Sequence, residues 1–156
     1  MSGPGRAQRY APLLYLAAAL SVAGYSYFNP NDGVSFGLTR LDVNGRQYTV
    51  ELASDERQRE RGLMFRRTLT LDSGMAFVFD RAAKHCMWMK NTELPLSVAF
   101  VDSEGKILNM ENMSAETLED HCSAGPALYA LEMNLGWFKQ HAVTPGMVIV
   151  GFRSPG

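Results

Sequence analysis

The chain has 156 residues, of which 15 are Lys or Arg and 16 are Asp or Glu, so its net charge is −1. Without Arg6 and Arg9 of the first segment, 13 basic residues face 16 acidic ones, and the remainder carries about −3. This charge argues against a nucleic-acid-binding protein. The residues that follow the first segment are enough for one domain.

Residues 1–28 are predicted to be a signal peptide or a membrane anchor. Arg6 and Arg9 precede residues 11–28, a run of apolar and small residues without charge, which is typical of an export segment. Small residues at 21–23 offer a signal peptidase site, whereas aromatic residues at both ends favour an uncleaved anchor. We therefore expect an extracytoplasmic or periplasmic protein, either secreted across the inner membrane or anchored in it through residues 11–28.

A linker is predicted over residues 29–35, followed by a single, mostly β domain over residues 36–156. The domain opens with a hairpin, because apolar and polar residues alternate over 47–52 and Asn44-Gly45 suits a tight turn. Ser54 or Asp55 is placed to cap a helix that continues through Met64. The body of this helix is rich in Glu and Arg, so we expect it on the surface.

Further strands follow at short intervals. Residues 75–79 and 96–101 are apolar on both faces, which is typical of central strands covered on two sides. Additional strands are predicted at 107–113, 128–133 and 147–152, with a short helix at 135–141. This pattern indicates a mainly β domain with one or two short helices (α+β), folded as a small barrel or sandwich.

Two cysteines, Cys86 and Cys122, are predicted to form a disulfide, since an exported chain enters an oxidising compartment. Both are preceded by a histidine, His85 and His121. The competing interpretation is a metal site built from these four residues, whose ligand types suit zinc or copper.

Residues 85–92 are dense in side chains that could bind a ligand. On a strand, His85, Met87 and Met89 would share one face, and an imidazole with two thioethers suits Cu(I). The alternative is that both methionines fill the core and His85 lies at its edge. We expect no obligatory cofactor, with copper or zinc as the possible metals.

Glu132 stands in an otherwise apolar predicted strand, where a carboxyl needs a partner or acquires a raised pKa. Lys90 or an arginine of the predicted helix could be that partner, and a structural ion pair is favoured over catalysis. The chain has no G-x-S-x-G, H-E-x-x-H, P-loop or G-x-G-x-x-G motif, so no catalytic residue is assigned.

Several motifs together resemble the bacterial and archaeal family called domain of unknown function 192, in a branch with two cysteines. The resemblance covers residues 41–150. It implies a compact, mostly β domain that is often exported, and it implies no assigned activity. The motifs are, in chain order, Glu60-Arg61-Gly62-Leu63-Met64-Phe65-Arg66, Gly74-Met75-Ala76-Phe77-Val78-Phe79, Trp88-Met89-Lys90-Asn91-Thr92, Pro95-Leu96, Ala99-Phe100 and Leu131-Glu132.

At one position the chain differs from the residue that is usual in the family it resembles. Ser97 follows Pro95-Leu96 where the family usually has an Asp, so a function that needs this carboxylate is in doubt here.

Residues 88–92 could form a polar and aromatic binding site, with Trp88 for stacking and Asn91 for paired hydrogen bonds. A structural turn that uses Asn91 and Thr92 is the alternative. We expect a binding or accessory module for a small molecule or an extracytoplasmic protein. A copper or zinc handling protein and a hydrolase using Glu132 are the alternatives. The predicted binding residues are Trp88, Lys90, Asn91, Thr92, Glu132 and Arg61.

Overall fold

A computed structural model of the protein describes residues 33–152. The predicted export segment, residues 1–28, therefore lies outside the described residues. Between residues 33 and 152, every helix is too short to cross a bilayer.

The described chain is mainly β, with two short helices, which confirms the predicted fold class. The helices are α1 (Glu56–Arg61) and α2 (Trp137–Gln140). The strands are β1 (Gly37–Val43), β2 (Arg46–Ala53), β3 (Gly74–Ala83), β4 (Cys86–Met87), β5 (Leu96–Val101), β6 (Ile107–Met113), β7 (His121–Cys122), β8 (Ala127–Asn134) and β9 (Ile149–Val150).

Seven strands form one sheet in the order β6-β5-β8-β3-β2-β1-β9. The sheet curls into a half-barrel, and an antiparallel bridge between Lys106 and Val148 connects its two edges at one end. β2 and β3 are parallel and are joined across α1, whereas the other pairs of this sheet are antiparallel. β4 and β7 form a separate two-stranded sheet.

The predicted hairpin is present as β1 and β2. Asn44 and Gly45 both have positive φ, 53° and 76°, as a tight turn of this kind requires. The carboxylate of Asp42 accepts a hydrogen bond from the Gly45 amide at 3.0 Å. Tyr48 and Val50 are buried, whereas Gln47 and Thr49 are exposed and Glu51 is half-buried, so the alternation in the sequence does set the face that packs.

Helix α1 lies on the surface as predicted but ends three residues early. Asp55 accepts a hydrogen bond from the Gln58 amide at 2.8 Å and forms a capping box with it. The prediction that the helix reaches Met64 is wrong, because Gly62 adopts φ 45° and ψ −137° and turns the chain. Leu63 and Met64 are thereby buried against the sheet.

The C-terminal elements are also shorter than predicted. Of residues 147–152 only Ile149–Val150 pairs as a strand, β9, and of residues 135–141 only Trp137–Gln140 is helical. α2 begins after Gly136, whose φ is 79°, and buries Trp137 and Phe138.

Hydrophobic residues pack into two cores on opposite faces of the central strands. The Trp137 core includes Leu41, Ala76, Leu131 and Trp137. The Phe77 core includes Met75, Phe77, Phe79, Met89, Val98 and Phe100. Neighbouring residues of β3 enter different cores because successive side chains of a strand point to opposite faces.

Candidate binding cavity

A cavity of about 420 Å³ opens beside the Phe77 core. It lies between α1 with its following turn, β3, the segment around β4, and β8. Four of the predicted binding residues line it together: Arg61, Trp88, Thr92 and Glu132. Lys90 and Asn91 are not among the lining residues.

The walls of the cavity are largely apolar. Phe77 and Phe79, two residues apart on β3, both face it and are almost fully buried. The turn after α1 adds Leu63 and Met64, which the early end of the helix directs inward. The Phe79 ring stacks on the His85 ring with centroids 3.7 Å apart.

Glu132 places a carboxyl group in this apolar wall. Its register on β8 puts it directly opposite Met75 of β3 and Val98 of β5, both completely buried. Glu132 itself is 4% exposed, and no hydrogen bond or ion pair reaches its carboxyl within residues 33–152. Loss of solvation on burial raises the pKa of Glu132 from 4.5 to about 8, so the carboxyl is mainly neutral at pH 7.

Gly74 allows β3 to approach the backbone of Glu132 closely. A Cβ atom at this position would overlap the carbonyl oxygen of Glu132 and the sulfur of Met133. The glycine therefore permits the close approach of β3 to β8, the strand that carries Glu132.

Charged groups surround the entrance. The guanidinium of Arg59 donates to the carbonyl oxygens of Ser54 and Val78, at 3.0 and 2.9 Å, and pairs with Asp80 at 3.0 Å. The Arg61 guanidinium lies over the Phe65 ring, 4.8 Å from its centroid.

The segment around β4 has the alternation predicted from its sequence, although only two of its residues pair as a strand. His85 and Met87 are half-buried and Met89 is buried, whereas Cys86 and Trp88 are exposed. Trp88 is 52% exposed at the cavity. The Lys90 ammonium lies 5.6 Å from the centre of its ring, which fits a cation–π contact.

Asn91 and Thr92 contribute to a turn. Asn91 has a positive φ of 55°, and its carbonyl oxygen accepts a hydrogen bond from the Phe65 amide at 2.8 Å. The Thr92 hydroxyl donates to the Lys90 carbonyl oxygen at 3.3 Å. These contacts agree with the structural interpretation of both residues and join the turn to the segment after α1.

Cys86 and Cys122 form a disulfide, as predicted. The two residues stand directly opposite each other on β4 and β7. Cys86 also lines the cavity, so the bridge holds one wall of it in place.

The three predicted metal ligands, His85, Met87 and Met89, differ in their surroundings. Nε2 of His85 lies 3.0 Å from the Arg81 carbonyl oxygen, and Met89 is 1% exposed. Among residues 33–152 no three His, Cys, Asp or Glu side chains are grouped as a metal site. The disulfide also removes both thiolates from the alternative His-Cys site. Binding of copper or zinc that involves His85, Met87 and Met89 stays a prediction.

Another histidine, which sequence reasoning considered only as a metal ligand, has an unusual environment. Nδ1 of His121 lies 2.9 Å from a carboxylate oxygen of Glu111. Its buried Nε2 has no hydrogen-bond partner within the described residues.

Ser97, the departure from the family pattern, lies away from the cavity lining. Its hydroxyl donates to Asn112 Oδ1 at 2.6 Å and accepts from the Gly136 amide at 2.9 Å. Val98, the next residue, is the one that stands opposite Glu132. Ser97 therefore supports the start of α2 and does not line the cavity.

Sequence reasoning did not single out Phe77, Phe79, Arg59 and Asp80 as cavity residues. The two phenylalanines were identified as strand residues, and their alternation could have indicated a shared face. The pairing of Arg59 with Asp80 had no such signal, because it arises from the crossover of α1 between parallel strands.

Comparisons with known proteins give a family and a fold. The model of the family described as "Uncharacterized ACR", domain of unknown function 192, matches residues 39–151. No curated protein matches significantly. A crystal structure from Sinorhizobium meliloti 1021, described as a "putative transcription regulator", is 41% identical, with a TM-score of 0.71 over 76% of this chain and 96% of that one. A Novosphingobium aromaticivorans DSM 12444 protein of unknown function is 27% identical, with a TM-score of 0.67 over 81% and 93%.

Proposed function

The chain belongs to the domain of unknown function 192 family, whose description assigns no activity, and we propose from the geometry that it is a binding module for a small molecule. The observation that carries this proposal is the cavity of about 420 Å³, which combines apolar walls with a buried carboxyl group at Glu132. Ligand sites in proteins are commonly concave and apolar, with a few polar groups that orient the ligand.

Trp88 supports the same proposal. A half-exposed tryptophan offers a large flat surface for stacking, and here it borders a cavity of suitable size. The residues of the cavity thus provide contact area and the buried carboxyl group of Glu132.

The two tryptophans provide a direct test, since Trp137 is buried in the other core. The experiment is an NMR screen of neutral, cationic and anionic aromatic fragments, with the two indole N–H signals as reporters. Fragments that bind should shift the Trp88 signal and leave the Trp137 signal in place. Trp88→Ala should weaken these fragments about tenfold.

Leu118→Ala is the matched control, because Leu118 is an exposed hydrophobic residue outside the cavity lining. It should leave fragment affinity unchanged. A library without any fragment that perturbs Trp88 would contradict a small-molecule site here.

We also propose that the module works outside the cytoplasm. The disulfide between Cys86 and Cys122 supports this location, because such bonds persist in oxidising compartments. Native material should fractionate with extracytoplasmic proteins, and its cysteines should resist alkylation until a reductant is added. Cytosolic material with two reactive thiols would contradict the location without affecting the cavity.

We do not propose a role in transcription for this chain, although the Sinorhizobium protein is described as a "putative transcription regulator". The arginines that could form a basic patch near α1 are partly neutralised, Arg59 by Asp80 and Arg66 by a bidentate pair with Glu51. Binding of DNA depends on such positive charge.

A further inference from the structure

The Glu132 carboxyl is buried, and among residues 33–152 no hydrogen bond or ion pair reaches it. Its neighbours across the sheet, Met75 and Val98, are apolar and completely buried. Burial of a polar group without a hydrogen bond or ion pair lowers stability. Structures that keep such a group usually do so at a functional site, and here the group lines a cavity.

The walls around this carboxyl suit a positive charge. The rings of Phe77, Phe79 and Trp88 line the cavity, and the faces of aromatic rings attract cations. Met87 adds a polarisable thioether to the same wall. An ammonium group beside the carboxylate would be paired with it and would lie among these aromatic side chains.

The charges at the entrance are balanced. The carboxylates of Glu56, Glu60 and Asp80 line the cavity together with the guanidinium groups of Arg59, Arg61 and Arg81. Arg59 is engaged by Asp80 and two carbonyl oxygens, and the Arg61 guanidinium lies over Phe65. The preference for a cation therefore comes from the buried Glu132 carboxyl and the aromatic walls, and not from a net charge at the entrance.

We propose that the cavity binds an organic cation, a substituted or quaternary ammonium compound whose positive charge replaces the proton of Glu132. The inference rests on the proposed binding function and adds the class of ligand. Binding is an exchange: the cation enters, the O–H bond of the Glu132 carboxyl breaks, and the proton leaves to the solvent. The complex carries a carboxylate paired with the cation.

This exchange makes the affinity depend on pH. Below the pKa of Glu132, about 8, the ligand competes with a proton, so the affinity should rise roughly tenfold per pH unit and become constant above it. A neutral ligand that accepts a hydrogen bond from the protonated carboxyl would show the opposite trend. The pH profile therefore separates the ligand classes.

Benzyltrimethylammonium is the probe, because it keeps its charge at every pH. Calorimetry from pH 6 to 9 should show the expected rise in affinity, and titrations in two buffers of different ionisation enthalpy should show release of a proton. Benzyl alcohol and phenylacetate serve as neutral and anionic probes of similar size. The cation should bind at least tenfold more tightly than either at pH 8.5 or above.

Variants assign the titration to one group. Glu132→Gln should lower the affinity for the cation and remove its pH dependence. Glu119→Gln, at an exposed position, should change neither. His85 also lines the cavity and needs a separate control. His85→Phe keeps an aromatic ring against Phe79, and it should leave the pH profile in place.

The outcomes distinguish this inference from the proposed function. Benzyl alcohol or phenylacetate could bind more tightly than the cation and perturb the Trp88 signal. That result would contradict the inference of a cationic ligand and would support the proposed binding function. The inference also falls if benzyltrimethylammonium binds with an affinity that does not change with pH. Absence of binding for all three probes at millimolar concentration contradicts the inference, and the fragment screen then decides the binding function.

Discussion

Buried polar groups have different surroundings in the Trp137 core and beside the Phe77 core. In the Trp137 core, the indole N–H of Trp137 donates to the Asp72 carboxylate at 2.9 Å, and its ring meets Tyr48 edge to face at 4.8 Å. Beside the Phe77 core, the carboxyl of Glu132 is buried without such a partner among residues 33–152. A core that only stabilises the fold satisfies its polar atoms. The contrast supports the proposed binding site on the Phe77 side.

The largest expected effect concerns pH and Glu132. A raised carboxyl pKa means that the folded state holds its proton more tightly than the unfolded state does. The stability contributed by this proton is complete below pH 4.5 and is lost as the pH rises to about 8. The full shift corresponds to about 5 kcal/mol. Denaturant unfolding of the wild type from pH 4.5 to 9 measures it.

Glu132→Gln isolates this contribution, because the other titrating groups are common to both proteins. The difference in unfolding free energy between wild type and variant should change by several kcal/mol across this range. Glu119→Gln should follow the wild type. A constant difference for Glu132→Gln would mean that the carboxyl is already ionised in the folded protein.

The disulfide is the next largest contribution on the Phe77 side. Cys86 and Cys122 are 36 residues apart, and closing a loop of this size stabilises the fold by roughly 2 to 5 kcal/mol. The double change of Cys86→Ser with Cys122→Ser should lower the unfolding free energy by this amount under non-reducing conditions. The wild type treated with a reductant should show the same loss. An unchanged midpoint of unfolding in both would contradict the contribution assigned to the bridge.

Two substitutions distinguish the Trp137 core from the cavity, because one should lower stability and the other should lower fragment affinity. Leu41 is completely buried in the Trp137 core, so Leu41→Ala should cost about 3 kcal/mol while any fragment affinity is retained. Trp88→Ala should leave stability within about 0.5 kcal/mol, because Trp88 is half exposed, and should weaken fragments. Chemical unfolding and NMR titration measure both. Equal behaviour of the two variants would remove the distinction between the cores.

The smallest expected effect is at the start of α1, which covers one side of the cavity. Asp55→Ala removes the capping hydrogen bond to the Gln58 amide and should cost about 1 kcal/mol. Hydrogen exchange should rise in α1 and remain unchanged in β8. Asp80→Asn, which weakens the pairing with Arg59 at an exposed site, should cost less.

Local patterns predicted the parts of the fold that depend on local physics. Asn44-Gly45 and the alternation after it predicted the β1–β2 hairpin, because both signals act within a few residues. The end of α1 at Arg61 was missed, since Leu63 and Met64 continue an apolar pattern that a helix could also use. They leave the helix to pack against β3, which is distant in sequence.

The candidate site was predicted in part for the same reason. Trp88 and Glu132 were identified because each is chemically unusual in its own segment. Their convergence on one cavity, together with Phe79 and Arg59, results from the pairing of β3 with both β2 and β8. No local pattern contains that information. Lys90 and Asn91 were included by proximity in sequence, and the structure places them outside the cavity lining.

The protonation state of Glu132 is the most direct test of the proposed cation site. The ¹³C chemical shift of its side-chain carboxyl can be followed by NMR from pH 4 to 10, with Glu132→Gln used to assign the signal. We expect a midpoint of about 8, with the carboxyl still protonated at pH 6. A midpoint near 4.5 would show an ordinary, ionised glutamate and would contradict the proposed exchange of its proton for a cation.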